Sequence, residues 1–191
     1  MTNSGVLPST ETIYRMHVHQ VARWAARLGG PALDLEDTVH DVFAVAWRRL
    51  STFRGESSLS TWLFGITEKV VRHRRRKERW WRWLSGSATN ATAGHVAADG
   101  LDPLRVVEQH QAAREVYRVL DRLSEDDRRI LILFELDELA AHEVAALLGI
   151  KAANARLRRH RARTRFLHIY QQEFPAFRAN ITRQRCENVS R

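Results

Sequence analysis

The chain is poor in residues that staple, chelate or cross a bilayer. Cys186 is the one cysteine in 191 residues. A single thiol excludes an intrachain disulfide and any multi-cysteine metal site, and it suits a reducing cytoplasm. No run of about 18 apolar residues occurs, so no membrane insertion is expected. The opening MTNSGVLPSTET has neither a basic start nor an apolar run, and no secretion signal is expected. Asn-x-Ser/Thr sequons begin at Asn90, Asn180 and Asn188, and without such a signal they read as chance. No alternating strand pattern and no internal repeat stands out.

Positive charge and helical periodicity are what the chain does have. The formal net charge is +9, and 44% of residues are apolar. That apolar content fills two modest helical cores more readily than one large one. A strongly basic balance favours nucleic acid or an anionic membrane surface, and the lack of a long apolar run makes the membrane the weaker choice. Much of it is concentrated at 66–84, ITEKVVRHRRRKERWWRWL, and at 151–165, KAANARLRRHRARTR. Two separate cationic surfaces suit one long polyanion held at two places, because every neutralised phosphate releases a counterion. Trp80, Trp81 and Trp83 add aromatic surface suited to stacking on unpaired bases. The plainer alternative is two solvated helix faces with tryptophans in the core.

Residues 11–28 carry Ile13, Met16, Val21, Trp24 and Leu28 in a helical pattern that stops at Gly29-Gly30-Pro31. Asp34 is placed to cap the next helix, with Asp37 at its third position, where the helix dipole favours an acid. Leu35, Val39, Val42, Phe43, Ala46 and Leu50 line one face of that helix, and Asp37, His40, Asp41 and Arg48 occupy the other. Residues 51–61, STFRGESSLST, read as a loop. A third helix begins near Ser60 and runs into the first basic segment. Residues 85–102 are small and polar and bury too little surface to order themselves, so a flexible linker is expected at 85–105. Helices resume near Pro103 and reach Leu123. Ser124-Glu125-Asp126-Asp127 resembles a capping box for a helix over 126–136, whose stretch 130–134 reads as buried nearly all round. A short helix over 139–149, stopped by Gly149, precedes a basic helix over 152–170. That order is a helix-turn-helix outline. The expected fold is all-α, with helical domains at 11–84 and 106–170 and a polar tail at 171–191.

The segments DLEDTVHDVFAVAWRRL and FRGESSLSTWLFGIT, followed by an arginine-rich stretch, resemble region 2 of the extracytoplasmic-function (ECF) sigma factors of bacterial RNA polymerase. DRLSEDDRRILILFELDELAAHEVAALLGI, followed by a basic helix, resembles their region 4. The likeness covers roughly 11–84 and 106–168, and the order and spacing of both halves agree.

The resemblance implies a function and a set of site residues. The outer face of the second helix, with Asp37, His40, Asp41, Trp47 and Arg48, would dock on core RNA polymerase. His40 stands where the family usually has Gln. Arg54, Gly55, Glu56, Ser57 and Ser58 of the loop, with Lys69, Arg72, Arg75 and Arg76, would open the −10 element and hold its displaced strand. Opening DNA requires a pocket for an unstacked base and cations along the strand. Family members often carry Asn at position 69; Lys69 keeps a phosphate contact but loses amide readout of a base edge. Trp62 lies among Leu59, Leu63 and Ile66 and reads as core. Lys151, Asn154, Arg156, Arg158 and Arg161 would meet the −35 element in the major groove. Here the chain has Lys151-Ala152-Ala153-Asn154-Ala155 where Pro-x-Gly/Asn-Thr-Val is common, and Arg159 where a buried Leu is common. Either the last helix rotates to bury Leu157, or its inner face loses apolar burial.

The expected protein is a cytoplasmic sigma factor, not an enzyme, with no metal, cofactor or small-molecule substrate. Its partners would be core RNA polymerase, promoter DNA and an anti-sigma factor. Two alternatives stay open: a sigma-like DNA-binding regulator without initiation activity, and a metal-dependent nuclease using Glu36, Asp37, His40 and Asp41.

Overall fold

The computed structural model describes residues 9–85 and 103–175. Their helices belong to two compact units, Met1–Ala97 and Ala98–Arg191. No strand occurs among the described residues, as the periodicity requires. The expected linker falls almost entirely outside the described residues, as do the tail beyond Pro175, Cys186 and the three sequons.

The first unit is a three-helix cluster. Helix α1 spans Thr10–Gly29, α2 spans Leu35–Arg49 with a 3₁₀ turn over Leu50–Thr52, and α3 spans Leu59–Ser85. Each starts on a side-chain cap. Ser9 Oγ accepts from Thr12 N–H at 3.2 Å, Asp34 Oδ1 from Asp37 N–H at 3.0 Å, and Ser58 Oγ from Thr61 N–H at 3.0 Å. Gly30 ends α1 at φ 85°, a backbone that favours glycine. A Cβ at Gly29 would collide with the side chain of Leu33, which the turn folds back onto α1. The core holds Ile13, Val21, Trp24, Leu28, Leu33, Val42, Phe43, Ala46, Leu63, Phe64, Ile66 and Val71. Trp24 meets Phe64 edge-on at 5.1 Å between ring centroids. Buried Thr67 donates to the Leu63 carbonyl at 2.8 Å, so its hydroxyl is satisfied within the helix. Met16 and Leu35 depart from the expected pattern. Both are exposed, whereas Ala25 and Thr38 are buried. At Thr38 a hydroxyl bonded to the Asp34 carbonyl takes an inward position that apolar spacing alone does not reveal.

The second unit packs α4 (Pro103–Leu120), α5 (Glu125–Leu131), α6 (Ala141–Leu148) and α7 (Ala152–Glu173). Ser124 caps α5, its Oγ accepting from Asp127 N–H at 3.1 Å. A π turn over Ile132–Leu136 follows α5. Ile130, Leu131, Ile132, Leu133 and Phe134 are all buried, so this segment is the hydrophobic centre of the unit. The α6 start is half a capping box. Glu143 Oε2 accepts from Ala140 N–H at 2.7 Å, but Ala140 has no side-chain oxygen to return the bond. Gly149 ends α6 in the left-handed region at φ 64° and sets the turn into α7. The inward side of α7 is built from Ala155 and Ala162, two small residues that let it approach α5 and α6 closely.

Candidate polymerase and nucleic-acid interfaces

On α2 the inner apolar stripe fixes what points outward. Asp37, His40 and Arg48 are exposed. Trp47 is half-buried, its ring 5.4 Å from Phe43, so it shares the rim of the core with the outer face. Asp41 is not simply solvated. Arg74 of α3 donates to it from Nε at 2.9 Å, and Arg74 Nη2 also reaches the Asp37 carbonyl at 3.1 Å. The acidic side of α2 is therefore partly neutralised from within the unit. This pairing was not visible in the sequence, because the partners lie on different helices. Among the described residues no three His, Cys, Asp or Glu side chains gather in a metal-holding group.

The loop after α2 is open. Arg54, Gly55, Glu56, Ser57 and Ser58 are all exposed, and Gly55 adopts φ 71°. Ser58 spends its hydroxyl on the cap of α3. Trp62 is half-buried against Phe53 at 5.3 Å, which anchors the loop to the helix. Along α3, Lys69, Arg72 and Arg76 are exposed. Arg75 differs from the other expected strand contacts. It is only 7% exposed, so its guanidinium belongs to the interior of the unit. The helical period explains this, since Arg75 lies one turn from Val71 on the inward side. Trp80, Trp81 and Trp83 are not core residues, being 54%, 54% and 79% exposed.

On α7, Lys151, Asn154, Arg156, Arg158 and Arg161 are all exposed. Helical spacing divides them. Asn154, Arg158 and Arg161 stand four and three apart and share one flank, and Arg156 projects from a different side. The helix has not rotated to bury Leu157, which is 48% exposed. Arg159 takes the inward position between Ala155 and Ala162. Its guanidinium lies over the Phe134 ring at 4.9 Å, and its Nε donates to Glu135 Oε1 at 2.8 Å. The missing leucine is replaced by an arginine stem and an ion pair. Arg165, on the same flank as Arg158, is held by both carboxylate oxygens of Asp127 at 2.9 and 2.8 Å.

Residues 13–81 match the sigma-70 region 2 model, and residues 113–166 match the sigma-70 region 4 model. The ECF RNA polymerase sigma-E factor of Escherichia coli K12 is 30% identical over 149 residues, covering 76% of this chain and 78% of that protein. The chain belongs to the ECF family of RNA polymerase sigma factors. As a sigma factor it directs RNA polymerase to promoters. A probable sigma factor, RfaY of Xanthomonas campestris pv. campestris, is 31% identical over 142 residues, which span 74% of this chain but 35% of that longer protein. The fold is similar to that of the sigma factor RpoE of Bartonella quintana, solved with the anti-sigma factor NepR. That likeness has a TM-score of 0.57 at 24% identity and covers 84% of this chain and 96% of the other. No helix among the described residues is long and apolar enough to cross a membrane.

Two features of this sigma factor escaped sequence reasoning. Arg128 is almost fully buried, bonded to Asp121 at 2.8 Å and stacked over Tyr117. Arg74 reaches back to α2. The inward place of Arg159, by contrast, was readable, since it interrupts an apolar position of the helical pattern.

Proposed function

We propose that this ECF sigma factor docks on core polymerase through the outer face of α2, with Asp37, His40, Asp41, Trp47 and Arg48. The loop residues Arg54, Gly55, Glu56, Ser57 and Ser58 receive a −10 base, and Lys69, Arg72 and Arg76 follow the displaced strand. Lys151, Asn154, Arg158 and Arg161 meet the −35 duplex, with Arg156 on an adjoining backbone. Residues 11–84 and 106–170 act as the two functional domains. The protein works as a binding subunit without catalysis of its own and answers to an anti-sigma factor, a reading supported by the complex of the related RpoE with NepR.

The observation that carries this reading is the division of cations. Lys69, Arg72, Arg76, Arg158 and Arg161 are exposed on two helices, whereas Arg74, Arg159 and Arg165 are engaged by carboxylates. Exposed cations in rows on separate units fit a polyanion followed along its length. Run-off transcription with core polymerase on a library of promoter sequences is the test. Transcripts that share −10 and −35 elements are expected. Promoter binding without transcripts would instead indicate a regulator that has lost initiation.

A further inference from the structure

The outer stripe of α3 does not end with its cations. Lys69, Arg72 and Arg76 stand three and four residues apart, and the same spacing continues to Trp80 and Trp83. On an α-helix these positions share one side. That side turns away from Leu63, Phe64, Thr67 and Val71, which are buried in the unit. Lys69, Arg72 and Arg76 make no ion pair among the described residues. Trp80 and Trp83 are 54% and 79% exposed. The helix rises about 10 Å from Arg76 to Trp83. Trp81 meets Trp80 edge-on at 5.4 Å and restricts the rotation of its ring.

Neighbouring charge selects what covers these rings. A helix lying in a membrane surface keeps its apolar and cationic faces apart. Here the rings lie on the same side as the cations and continue their row. A single row of cations that passes into flat aromatic faces fits a chain with a charged backbone and flat, unpaired bases. We propose that Trp80 and Trp83 form a stacking platform for unpaired bases of the DNA strand whose phosphates follow Lys69, Arg72 and Arg76. The proposal rests on reading α3 as the strand-binding helix. Stacking tolerates any base, so the platform extends the grip without adding a sequence requirement.

The test uses the full-length protein assembled on core polymerase, with dye-labelled oligo-dT titrated by fluorescence anisotropy over a range of NaCl concentrations. Replacing both rings by the changes Trp80→Ala and Trp83→Ala should weaken single-strand binding by about 30-fold or more. The slope of log affinity against log salt should not change, because stacking releases no counterions. The paired changes Trp80→Phe and Trp83→Phe should keep most of the affinity. The changes Arg72→Ala and Arg76→Ala should lower the slope by about 0.7 per lost cation. Unchanged far-UV circular dichroism is expected in every variant, since all four side chains are exposed.

Each other result overturns the proposal. Wild-type affinity in the tryptophan-to-alanine variant, with loss in the arginine variant, would remove the platform but leave α3 as the strand-binding helix. No change in either variant would remove both readings. An equal loss on fully duplex DNA would show that the rings do not stack on unpaired bases. Loss of assembly with core polymerase, with strand affinity intact, would assign the rings to a protein contact.

Discussion

Arg159 sits where apolar burial is expected, and the structure says what its removal should cost. The Arg159–Glu135 pair is 40% and 38% exposed at its side chains, so it has only the value of a surface pair, about 0.5 kcal/mol. The guanidinium over Phe134 adds about 0.5–1 kcal/mol. Truncation at Cβ would also uncover part of the Phe134 ring, now 7% exposed. If about 30 Å² opened to water, that would cost about 0.8 kcal/mol. Arg159→Ala should therefore destabilise the second unit by about 2 kcal/mol. Arg159→Leu should restore the cover and leave Glu135 solvated, for a net change within about 0.5 kcal/mol.

The assay separates the two units. All six tryptophans, Trp24, Trp47, Trp62, Trp80, Trp81 and Trp83, lie in the first unit. Tryptophan fluorescence in urea thus follows that unit alone, and far-UV circular dichroism follows both. With an m-value near 1 kcal/mol/M, suited to a small domain, Arg159→Ala should move only the second unit's midpoint, by about 2 M. Equal destabilisation by Leu and Ala would show that the cation, not the cover, holds α7. A wild-type midpoint for Arg159→Ala would show that the side chain contributes nothing.

Four further outcomes are expected. Asp41→Arg should sharply reduce co-purification with core polymerase and also loosen the first unit, because Arg74 would face a like charge; Arg74→Met isolates the second effect, and wild-type binding by Asp41→Arg would remove this face from the interface. Asp34→Ala and Ser124→Ala should each cost about 1 kcal/mol in urea unfolding, and tryptophan fluorescence should register only the first. Replacing Lys69, Arg72 and Arg76 should impair promoter opening more than recruitment, so a premelted −10 template should rescue these changes better than replacement of Arg156, Arg158 and Arg161; equal rescue would refute the division. Duplex binding by the second unit through Lys151, Arg156, Arg158 and Arg161 should give a log–log salt slope of about −3.6, and release of Arg159 and Arg165 to phosphate would steepen it to about −5.4.

The helices were legible because their signals are local. Asp34, Ser124 and Gly149 mark ends through bonds and dihedrals that span a few residues, and the stripe from Val42 to Ala46 repeats within one element. The same locality hid the tertiary choices. Arg75 and Arg76 are neighbours in an arginine run, yet one is buried and the other exposed. The phase of α3 separates them, because Arg75 falls one turn after buried Val71 and Arg76 does not. Arg74 is different. Its partner Asp41 lies on another helix, and no pattern within α3 announces it. Thr38 was missed because its hydroxyl finds an acceptor in its own helix, which lets a polar residue enter the core.

The carboxylates that engage arginines bear on specificity as well as stability. Phosphate affinity carries no sequence information, so every additional exposed arginine strengthens binding to all DNA alike. A sigma factor with each of its cations available would be held by non-specific sites, which greatly outnumber promoters. Asp127 engages Arg165 on the same flank of α7 as Arg158, Glu135 engages Arg159 on the inward side, and Asp41 engages Arg74 on the side of α3 that faces α2. On the proposed −35 reading, Asn154 would act among fewer phosphate contacts, and its pairing with adenine would make up a larger share of the binding energy. On the proposed reading, the arginine-rich composition overstates the cations available to DNA, and acids on neighbouring helices set how many remain.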